Sequence, residues 1–370
     1  MLSYRDLNHL YECLDSVISQ TYENIELIIS NDGSDEFNED AIRDYANCKC
    51  FDNITSVIIN KNEQNLGTVK HCNKAIDLSN GDYIMMIACD DVYSNNNVVE
   101  DMINEFSQVD SDVMAIVGQT AMYDEHLVFC HNLYVTKESQ TLINSLEPYE
   151  LYRDYLVLDN LLPAASVAYK RDVFETFGKF DEKYLLIEDW TAAKSYTKQG
   201  MRYHYLDIMC VYHRDGGVSR RAAALSDQVT RLFKLDLIMI YEDSLEEKNI
   251  KPYIRKLIKA RYKQQKFAYE TTFVAPALEA KSRLLYIALV TMKYRFLDIC
   301  LEELSALGLY KILVFFVAVY FFNYTGLFIS FFDRDVTAVV LLAIIAMLAF
   351  SLVAQKVARL LRRIIQRFER

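Results

Sequence analysis

Residues 11–34, YECLDSVISQTYENIELIISNDGS, join a helical apolar pattern to a short apolar run that ends in turn residues. Leu14, Val17 and Ile18 recur at the spacing of one helix face, which predicts a helix. The run IELIIS at 25–30 ends at Asn-Asp-Gly-Ser, which predicts a buried strand whose carboxyl end enters a loop. A helix followed by a buried strand is the repeating unit of an α/β fold.

The same alternation continues along the chain. Before residue 120, predicted strands cover 55–60, 83–88 and 112–118, and a predicted helix covers 69–78. Further on, the patterns predict strands at 165–170 and 202–213, helices at 171–177 and from 185–190, and a mainly helical stretch over 226–307. This order predicts a mostly parallel, Rossmann-like α/β sheet, which binds ligands beyond the carboxyl ends of its strands.

Charge is distributed unevenly along the chain. The formal net charge is −11, yet the tail at 356–370 carries six Arg or Lys against one Glu. The remaining chain is therefore acidic and is not expected to bind nucleic acid through its phosphates. Apolar residues of the tail lie opposite its arginines, which predicts an amphipathic helix that contacts anionic membrane lipids.

Two uncharged stretches, 312–332 and 336–354, precede this tail. At about 1.5 Å per residue each is long enough to approach or cross the hydrocarbon core of a bilayer. A buried hairpin in a soluble core is the alternative, but buried helices rarely stay uncharged over such a length. We therefore predict a two-span cell-membrane hairpin over 308–355, with the tail and the preceding domain on the cytosolic side.

Asp90 and Asp91 form a candidate metal site at the end of the strand predicted at 83–88. Adjacent carboxylates beside a core are costly unless a cation or hydrogen bonds compensate them, and hard cations prefer carboxylate oxygens. Each acidic site also has an ordinary interpretation. Asp90-Asp91 suits a helix cap or turn, and Asp32 suits the turn formed by Asn-Asp-Gly-Ser.

Four segments in a fixed order distinguish these interpretations. They are residues 11–34, NLGTVKHCNKAI at 65–76, GDYIMMIACDD at 81–91 and FGKFDEKYLLIEDW at 177–190. With them the chain resembles the family 2 glycosyltransferases, which have the GT-A fold, from about residue 6 to residue 219. The resemblance implies transfer of a sugar from a nucleotide-sugar donor, expected to be a UDP-sugar, to an acceptor hydroxyl with inversion. It also implies a divalent metal, Mn2+ or Mg2+.

The resemblance assigns roles to the acidic residues. Asp32 matches the residue that hydrogen-bonds the nucleobase, and Asp90 matches the last Asp of the D-x-D metal motif. Asp91 is expected to bind metal or ribose. Asp189 matches the catalytic base, with Glu188 orienting it, although an Asp at this helix start also suits a cap.

Further residues match the region around the nucleotide. The N-x-G-x5-N stretch beside the nucleotide is represented by Asn65, Gly67 and Asn73. Lys70, within this stretch, reaches phosphate or base, or is a solvated helix lysine. His213 matches a position near metal or phosphate; the register leaves Arg214 as a competitor and a structural histidine as an alternative.

The chain departs from the family pattern at two places. Ala88 replaces the first Asp of D-x-D, which predicts weaker ribose binding. Residues 1–4 align with the loop that follows the first strand in the family, so we expect this central strand to be missing, with a start further upstream or a fragment as the explanation. Both departures favour an alternative, a catalytically inactive membrane-bound scaffold.

We therefore predict four regions: a GT-A domain over 1–225, a helical and membrane-interfacial connector over 226–307, the hairpin over 308–355, and the basic tail over 356–370. Membrane attachment suits a lipid-linked saccharide acceptor in bacterial surface polysaccharide or glycolipid assembly. A polymer synthase with its own export channel is disfavoured, because one hairpin has too few helices to enclose a polysaccharide.

Overall fold

The computed structural model describes residues 1–49, 52–145, 147–156, 160–215, 228–275 and residue 290. The chain divides into two compact units, Met1–Tyr262 and Lys263–Arg370. The first unit continues beyond residue 225, where we predicted the end of the GT-A domain. It continues because Leu237, Ile240 and Ile258, from helices after that point, are buried in the same apolar core as the preceding elements.

The first unit alternates strands and helices over most of its length. Its strands are β1 Leu2–Ser3, β2 Ile25–Asn31, β3 Ile54–Lys61, β4 Tyr83–Met85, β5 Val92–Tyr93, β6 Val113–Tyr123, β7 Cys130–Leu133, β8 Val167–Lys170 and β9 Arg202–Arg214. The helices are α1 Leu10–Ile18, α2 Glu39–Lys49, α3 Thr68–Leu78, α4 Val98–Glu105, α5 Lys137–Ser145, α6 Pro148–Tyr155, α7 Asp172–Thr176, α8 Asp189–Lys198, α9 Gln228–Glu246 and α10 Pro252–Tyr269. A 3₁₀ turn, Ala164–Ser166, precedes β8. In the second unit, α10 ends and a π-helical turn, Glu270–Val274, follows.

The strands form two hydrogen-bonded groups. In the first group β1, β2 and β3 pair in parallel, in that order. The second group has the order β4-β8-β6-β9-β5, and β7 pairs with β6. Within it only β6 and β9 are parallel; the other pairs are antiparallel. The predicted α/β fold is confirmed, with a sheet that is parallel in its first part and mixed in its second.

Leu2 joins the two groups of strands. On one side it pairs with Ser30 of β2. On the other side its N–H donates to the carbonyl of Ile87 at 2.8 Å, and its own carbonyl accepts from the N–H of Cys89 at 2.8 Å. The assignment of residues 1–4 to a loop is therefore wrong for Leu2 and Ser3, which form strand β1 in the central position. A longer strand preceding them stays a prediction.

The sheet has an apolar layer on each face. Along β6, Ala115 and Val117 face the cluster that contains α3, α6, α8 and α9, while Ile116 faces the cluster that contains α1 and α4. Successive strand side chains point to opposite faces, so a central strand buried on both faces is apolar throughout. The two layers hold the sheet rigidly and leave its carboxyl edge free to carry polar loops.

Among the described residues, no helix has the length and apolarity required to cross a bilayer. The two predicted spans, 312–332 and 336–354, and the basic tail at 356–370 lie outside the described residues. Of the predicted connector, the structure describes 228–275 and residue 290, and α9 and α10 confirm its helical character there.

Candidate active site

Asp32 follows the carboxyl end of β2 and is 2% exposed. Its Oδ1 accepts hydrogen bonds from Asn62 Nδ2 at 2.8 Å and from the N–H of Leu66 at 2.9 Å, and its Oδ2 accepts one from the N–H of Gly67 at 3.0 Å. The carboxylate therefore holds the loop between β3 and α3. Its predicted contact with a nucleobase stays a prediction, and would have to be made beside these three bonds.

The residues around Asp32 form a turn that is stabilised by side-chain hydrogen bonds. Asn31 Nδ2 donates to Ser3 Oγ at 2.9 Å and to Ser34 Oγ at 3.0 Å, and Asn31 Oδ1 accepts from the N–H of Ser34 at 2.7 Å. Gly33 has a φ of +80°, and a Cβ there would lie 2.7 Å from the backbone carbon of Gln64. Asn-Asp-Gly-Ser is thus turn chemistry, as one interpretation proposed, and the same turn aims Asp32 at the sheet edge.

Asp91 is 2% exposed and is bound by the end of β9. Its Oδ2 lies 3.0 Å from Nδ1 of His213, and its Oδ1 accepts from the N–H of Arg214 at 3.2 Å. His213 thus contacts the Asp91 carboxylate through its imidazole and Arg214 contacts it through its backbone N–H, and which of the two matches the metal or phosphate position stays a prediction. Burial, and then the charge of Asp91, raise the pKa of Asp90.

The Arg214 side chain is 4% exposed and ties three segments together. Its Nη1 donates to the carbonyl of Asp90 at 2.6 Å, its Nε to the carbonyl of Glu125 at 3.1 Å, and its Nη2 lies 2.6 Å from Oε2 of Glu12. A guanidinium that is buried and bonded in this way fixes the loop that carries Asp90 and Asp91.

The predicted trio Asp90, Asp91 and His213 does not form a three-ligand metal site, and no group of three His, Cys, Asp or Glu in the described part of the chain is placed to hold an ion. Nδ1 of His213 is instead bonded to Asp91. Mg2+-like cations need only one or two carboxylates when water and substrate phosphates complete the shell. Two adjacent carboxylates therefore fit a cation whose remaining ligands come from water and substrate.

Glu188 and Asp189 lie at the start of α8. Asp189 is the first helical residue and Glu188 occupies the cap position without a side-chain capping bond. Asp189 Oδ2 accepts from Asn160 Nδ2 at 2.6 Å, and Oδ1 accepts from the N–H of Trp190 at 2.7 Å. Burial raises the pKa of Asp189, and burial followed by the charge of Asp189 raises that of Glu188. The role of Asp189 as catalytic base stays a prediction.

The segment before Glu188 lies against the loop held by Asp32. The N–H of Val69 donates to the carbonyl of Leu185 at 3.2 Å. Gly67 has a φ of +85°, and a Cβ there would lie 2.5 Å from Leu185 Cδ1. A side chain at position 67 would therefore displace the segment that leads to Glu188 and Asp189.

Asp32, Glu188 and Asp189 lie near one another in the structure. Burial raises the pKa of the Cys72 thiol, and the charges of Glu188, Asp189 and Asp32 raise it further, so all three lie within electrostatic reach of one atom. Asp32 and Asp90 follow the two strand segments that flank β1, two strand spacings or about 10 Å apart. A single cleft shared by Asp32, Asp90 and Asp189 stays a prediction.

The other predicted nucleotide-site residues have different surroundings. Asn65 and Lys70 are exposed, which leaves both interpretations of Lys70 open. Asn73 is buried; its Oδ1 accepts from the N–H of Phe180 at 3.0 Å, and its Nδ2 donates to the Phe180 carbonyl at 2.9 Å and to Glu182 Oε1 at 3.1 Å. The predicted contact of Asn73 with nucleotide finds no support, because its amide is used to clamp the 180–182 loop.

Three residues near the candidate site were not predicted from the sequence. His71 Nε2 lies 2.8 Å from Ser30 Oγ, and burial lowers the pKa of this histidine to about 4. Asn160 binds Asp189. Asp236 of α9 binds the segment before Glu188. A single acid within the apolar run LDLIMI was a signal for Asp236; no local pattern marked Asn160.

The strand order and the layers of helices define a GT-A-like α/β domain. Residues 1–178, just under half of the chain, match the family described as Glycosyl transferase family 2. This match supports the predicted family over that part of the chain. Glu188, Asp189 and the elements that follow lie beyond the matched segment.

Similar proteins agree with this assignment. The chain is 27% identical over 188 residues to an uncharacterized glycosyltransferase of Rickettsia prowazekii, covering 50% of this chain and 54% of the relative. It is 26% identical over 196 residues to the O-antigen chain rhamnosyltransferase WbaN of Salmonella anatum, covering 52% and 58%. The chain thus spans little more than half the length of these relatives. The crystal structure of S. aureus TarS 1–349 in complex with UDP has a similar fold, with a TM-score of 0.50 and 15% identity, over 76% of this chain and 75% of that one.

Proposed function

We propose that this chain transfers one sugar from a nucleotide-sugar donor to an acceptor hydroxyl, with Asp189 as the general base. The observation that supports the proposal is that the loop held by Asp32, at the carboxyl edge of the sheet, contacts Leu185, a few residues before Asp189. Ligands of open α/β sheets bind at that edge.

Asp189 supports an inverting displacement. In such a step the acceptor oxygen attacks the anomeric carbon, the new C–O bond forms, and the bond to the departing nucleoside diphosphate breaks. A carboxylate takes the acceptor proton. Burial raises the pKa of Asp189 and so brings its basicity closer to neutral pH, while the Asn160 hydrogen bond fixes the orientation of the carboxylate.

Asp90 and Asp91 suit the diphosphate end of the donor. Asp90, with Asp91 beside it, would hold a Mn2+ or Mg2+ ion, which would supply positive charge for the leaving diphosphate. Arg214 fixes the Asp90 backbone and His213 fixes the Asp91 carboxylate. Without these bonds, two adjacent carboxylates would repel each other and lose the geometry that a cation requires.

The donor is inferred from the sequence motifs and the acceptor from the apolar stretches near the carboxyl terminus. A UDP-sugar is our choice of donor from the sequence motifs, and TarS, which shares the fold, is known in complexes with UDP and with UDP-GlcNAc. A lipid-linked saccharide acceptor, used at the cytosolic face of a membrane in surface polysaccharide or glycolipid assembly, is proposed from the apolar stretches at 312–332 and 336–354. Contact with membrane lipids through the basic tail belongs to the same proposal.

Nucleotide release by the full chain tests the proposal. The chain is incubated with a panel of nucleotide sugars, with and without Mn2+, and released nucleotide is measured. Asp189→Asn is expected to lower kcat by about 10²–10⁴ while nucleotide affinity remains. The matched control is Asp112→Asn, a carboxylate just before the amino end of β6 that pairs with Arg202, which leaves kcat unchanged.

An inactive scaffold is the second candidate, favoured by Ala88 in place of the first Asp of D-x-D. It predicts nucleotide binding with no release from any donor in the presence of Mn2+ or Mg2+. Release that depends on Asp189 excludes the scaffold. Release that is equal in Asp189→Asn and the unaltered chain contradicts the role of Asp189 as base.

A further inference from the structure

Asp236 binds the segment that immediately precedes Glu188. This residue lies on α9 and is 2% exposed. Its Oδ2 accepts three backbone hydrogen bonds, from the N–H groups of Leu185 at 2.9 Å, Leu186 at 2.6 Å and Ile187 at 3.2 Å. The chain thus wraps three consecutive amides around one carboxylate oxygen from a distant helix.

Consecutive N–H groups that converge on one point form a concavity that attracts an anion. Bonds from such groups to a carboxylate are charge-assisted and stronger than neutral ones. The segment 185–187 lies outside any helix or strand, so these three N–H groups do not take part in helix or sheet hydrogen bonding. Without Asp236 they would need other partners, because unpaired buried amides are costly.

The same segment contacts the loop that Asp32 holds. Leu185 accepts a bond from the N–H of Val69 at 3.2 Å, and its side chain lies against Gly67. At the other end, the Ile187 carbonyl accepts from Thr191 Oγ1 at 2.8 Å within the first turn of α8. The segment therefore spans the distance between the nucleotide-side loop and the helix that carries Asp189.

Helix α9 is itself fixed against α8. Lys194 Nζ on α8 donates to Ser244 Oγ at 2.7 Å, and the rings of Trp190 and Tyr241 lie 5.6 Å apart in an edge-to-face arrangement. Because both helices are mutually anchored, Asp236 presents its carboxylate at a fixed point. The segment 185–187, which is bonded to this carboxylate, is therefore held in a fixed position.

We infer that Asp236 is a positioning residue for the catalytic base: by binding the amides of 185–187 it sets where Asp189 lies at the sheet edge. The inference rests on the proposed function. It assigns to α9, beyond the residues matched to the family, a part in completing the site. Asp236 touches no reacting group, so it acts only through the backbone that it holds.

Kinetics of the full chain test this role with two substitutions of Asp236. Asp236→Ala removes the acceptor, and kcat is expected to fall about 100-fold, the effect of an error of about 1 Å in the placement of a reacting group. Affinity for UDP, measured by calorimetry, stays unchanged. Asp236→Asn retains one carbonyl oxygen as acceptor but loses the charge, so it is expected to lower kcat and to raise exchange at 185–187 partially, by less than Asp236→Ala does. General loss of structure would lower affinity and kcat together.

The matched control is Asp243→Asn, seven residues further along the same helix. Asp243 contacts the side chains of Tyr184 and Lys183, not the backbone of 185–187, so kcat should not change. Hydrogen exchange read by mass spectrometry supplies a measurement independent of activity. Exchange at the amides of 185–187 is expected to rise in Asp236→Ala and to stay low in Asp243→Asn.

The outcomes distinguish a failure of the positioning role of Asp236 from a failure of the proposed function. If the unaltered chain is active and Asp236→Ala keeps its kcat and its low exchange at 185–187, the positioning role is wrong. Should Asp236→Ala fail to fold, the partial defect expected of Asp236→Asn takes its place, and full activity with unchanged exchange in that variant overturns the inference. If no donor is turned over by the unaltered chain, the proposed function fails, while a rise in exchange on substitution still supports the role of Asp236 in holding the segment.

Discussion

Gly67→Ala perturbs the point where the nucleotide-side loop meets the segment leading to the catalytic base. Gly67 has φ +85° and ψ 159°, a conformation in which a Cβ is strained. Its N–H binds Asp32, and an added Cβ would lie 2.5 Å from Leu185 Cδ1 and 2.9 Å from the Leu185 carbonyl oxygen. The substitution therefore combines backbone strain with a clash against one identified residue.

Two terms contribute to the expected loss of stability. The backbone conformation, which is almost restricted to glycine, costs about 1–3 kcal/mol. Overpacking against Leu185 costs about 1–3 kcal/mol more. The sum, about 2–6 kcal/mol, is a large part of the ~5–15 kcal/mol that stabilises an ordinary domain. In addition, displacement of Leu185 moves the segment that precedes Asp189, and kcat is expected to fall by up to about 100-fold.

Gly178→Ala is the control for backbone strain. Gly178 has a similar φ of +88°, but an added Cβ there would meet nothing within 4 Å. Urea unfolding of both variants gives two free energies of unfolding, and a larger loss in Gly67→Ala than in Gly178→Ala is expected because only Gly67 has Leu185 beside it. We expect Gly178→Ala to lose stability moderately and to keep its kcat.

A double variant completes the assay. In Gly67→Ala/Leu185→Ala the nearest clashing side-chain atoms are absent, so the two stability losses are expected to be less than additive. If Gly67→Ala and Gly178→Ala lose equal stability and both keep full activity, Leu185 does not couple the two loops, and our account of this contact is wrong.

The remaining predictions concern the carboxylates. Burial raises the pKa of Asp189, so the acid limb of the kcat/KM profile should lie above the ordinary aspartate range. Asn160→Ala removes a hydrogen bond that lowers this pKa, and should therefore move the acid limb to higher pH in a pH–rate profile. A raised folded-state pKa means that the ionised form of Asp189 destabilises the folded chain above that pKa. Asp189→Asn should therefore raise Tm at neutral pH, and this gain should disappear in acid, below the unfolded-state pKa. Equal Tm differences at both pH values would contradict this prediction. Asp32→Asn leaves one backbone N–H of the 62–67 loop facing an amide and should cost about 1–3 kcal/mol in urea unfolding, whereas exposed Asp35→Asn should cost nothing measurable.

Local patterns predicted the elements that depend on local chemistry. The helix at 69–78 and the strand at 55–60 appear as α3 and β3, each within a residue of its predicted limits. The strand predicted at 83–88 is regular only to Met85, since residues 87–89 turn to bond with Leu2. A residue near the chain start determined that ending, and no window around residue 85 contains it.

Antiparallel pairing in the second half of the sheet was also invisible to local patterns. Strand β8 lies between β4 and β6 and runs antiparallel to both. Apolar content marks a strand as buried, but it is the same for a parallel and an antiparallel neighbour. The direction of pairing depends on where the chain returns to the sheet, which is decided by packing over long sequence separations.

By itself, the sequence determined which residue types stand at the ends of strands, and hence that Asp32 and Asp90 meet at one sheet edge and that a helix begins at Asp189. Periodicity and turn chemistry are local, so they can be derived from a short window. Only the tertiary structure decided that Asn73 clamps a loop, that His213 binds Asp91, and that Asp236 holds the segment before the base. Those outcomes depend on which groups are left to satisfy one another once distant elements pack, because a buried donor or acceptor takes whatever partner the fold places beside it.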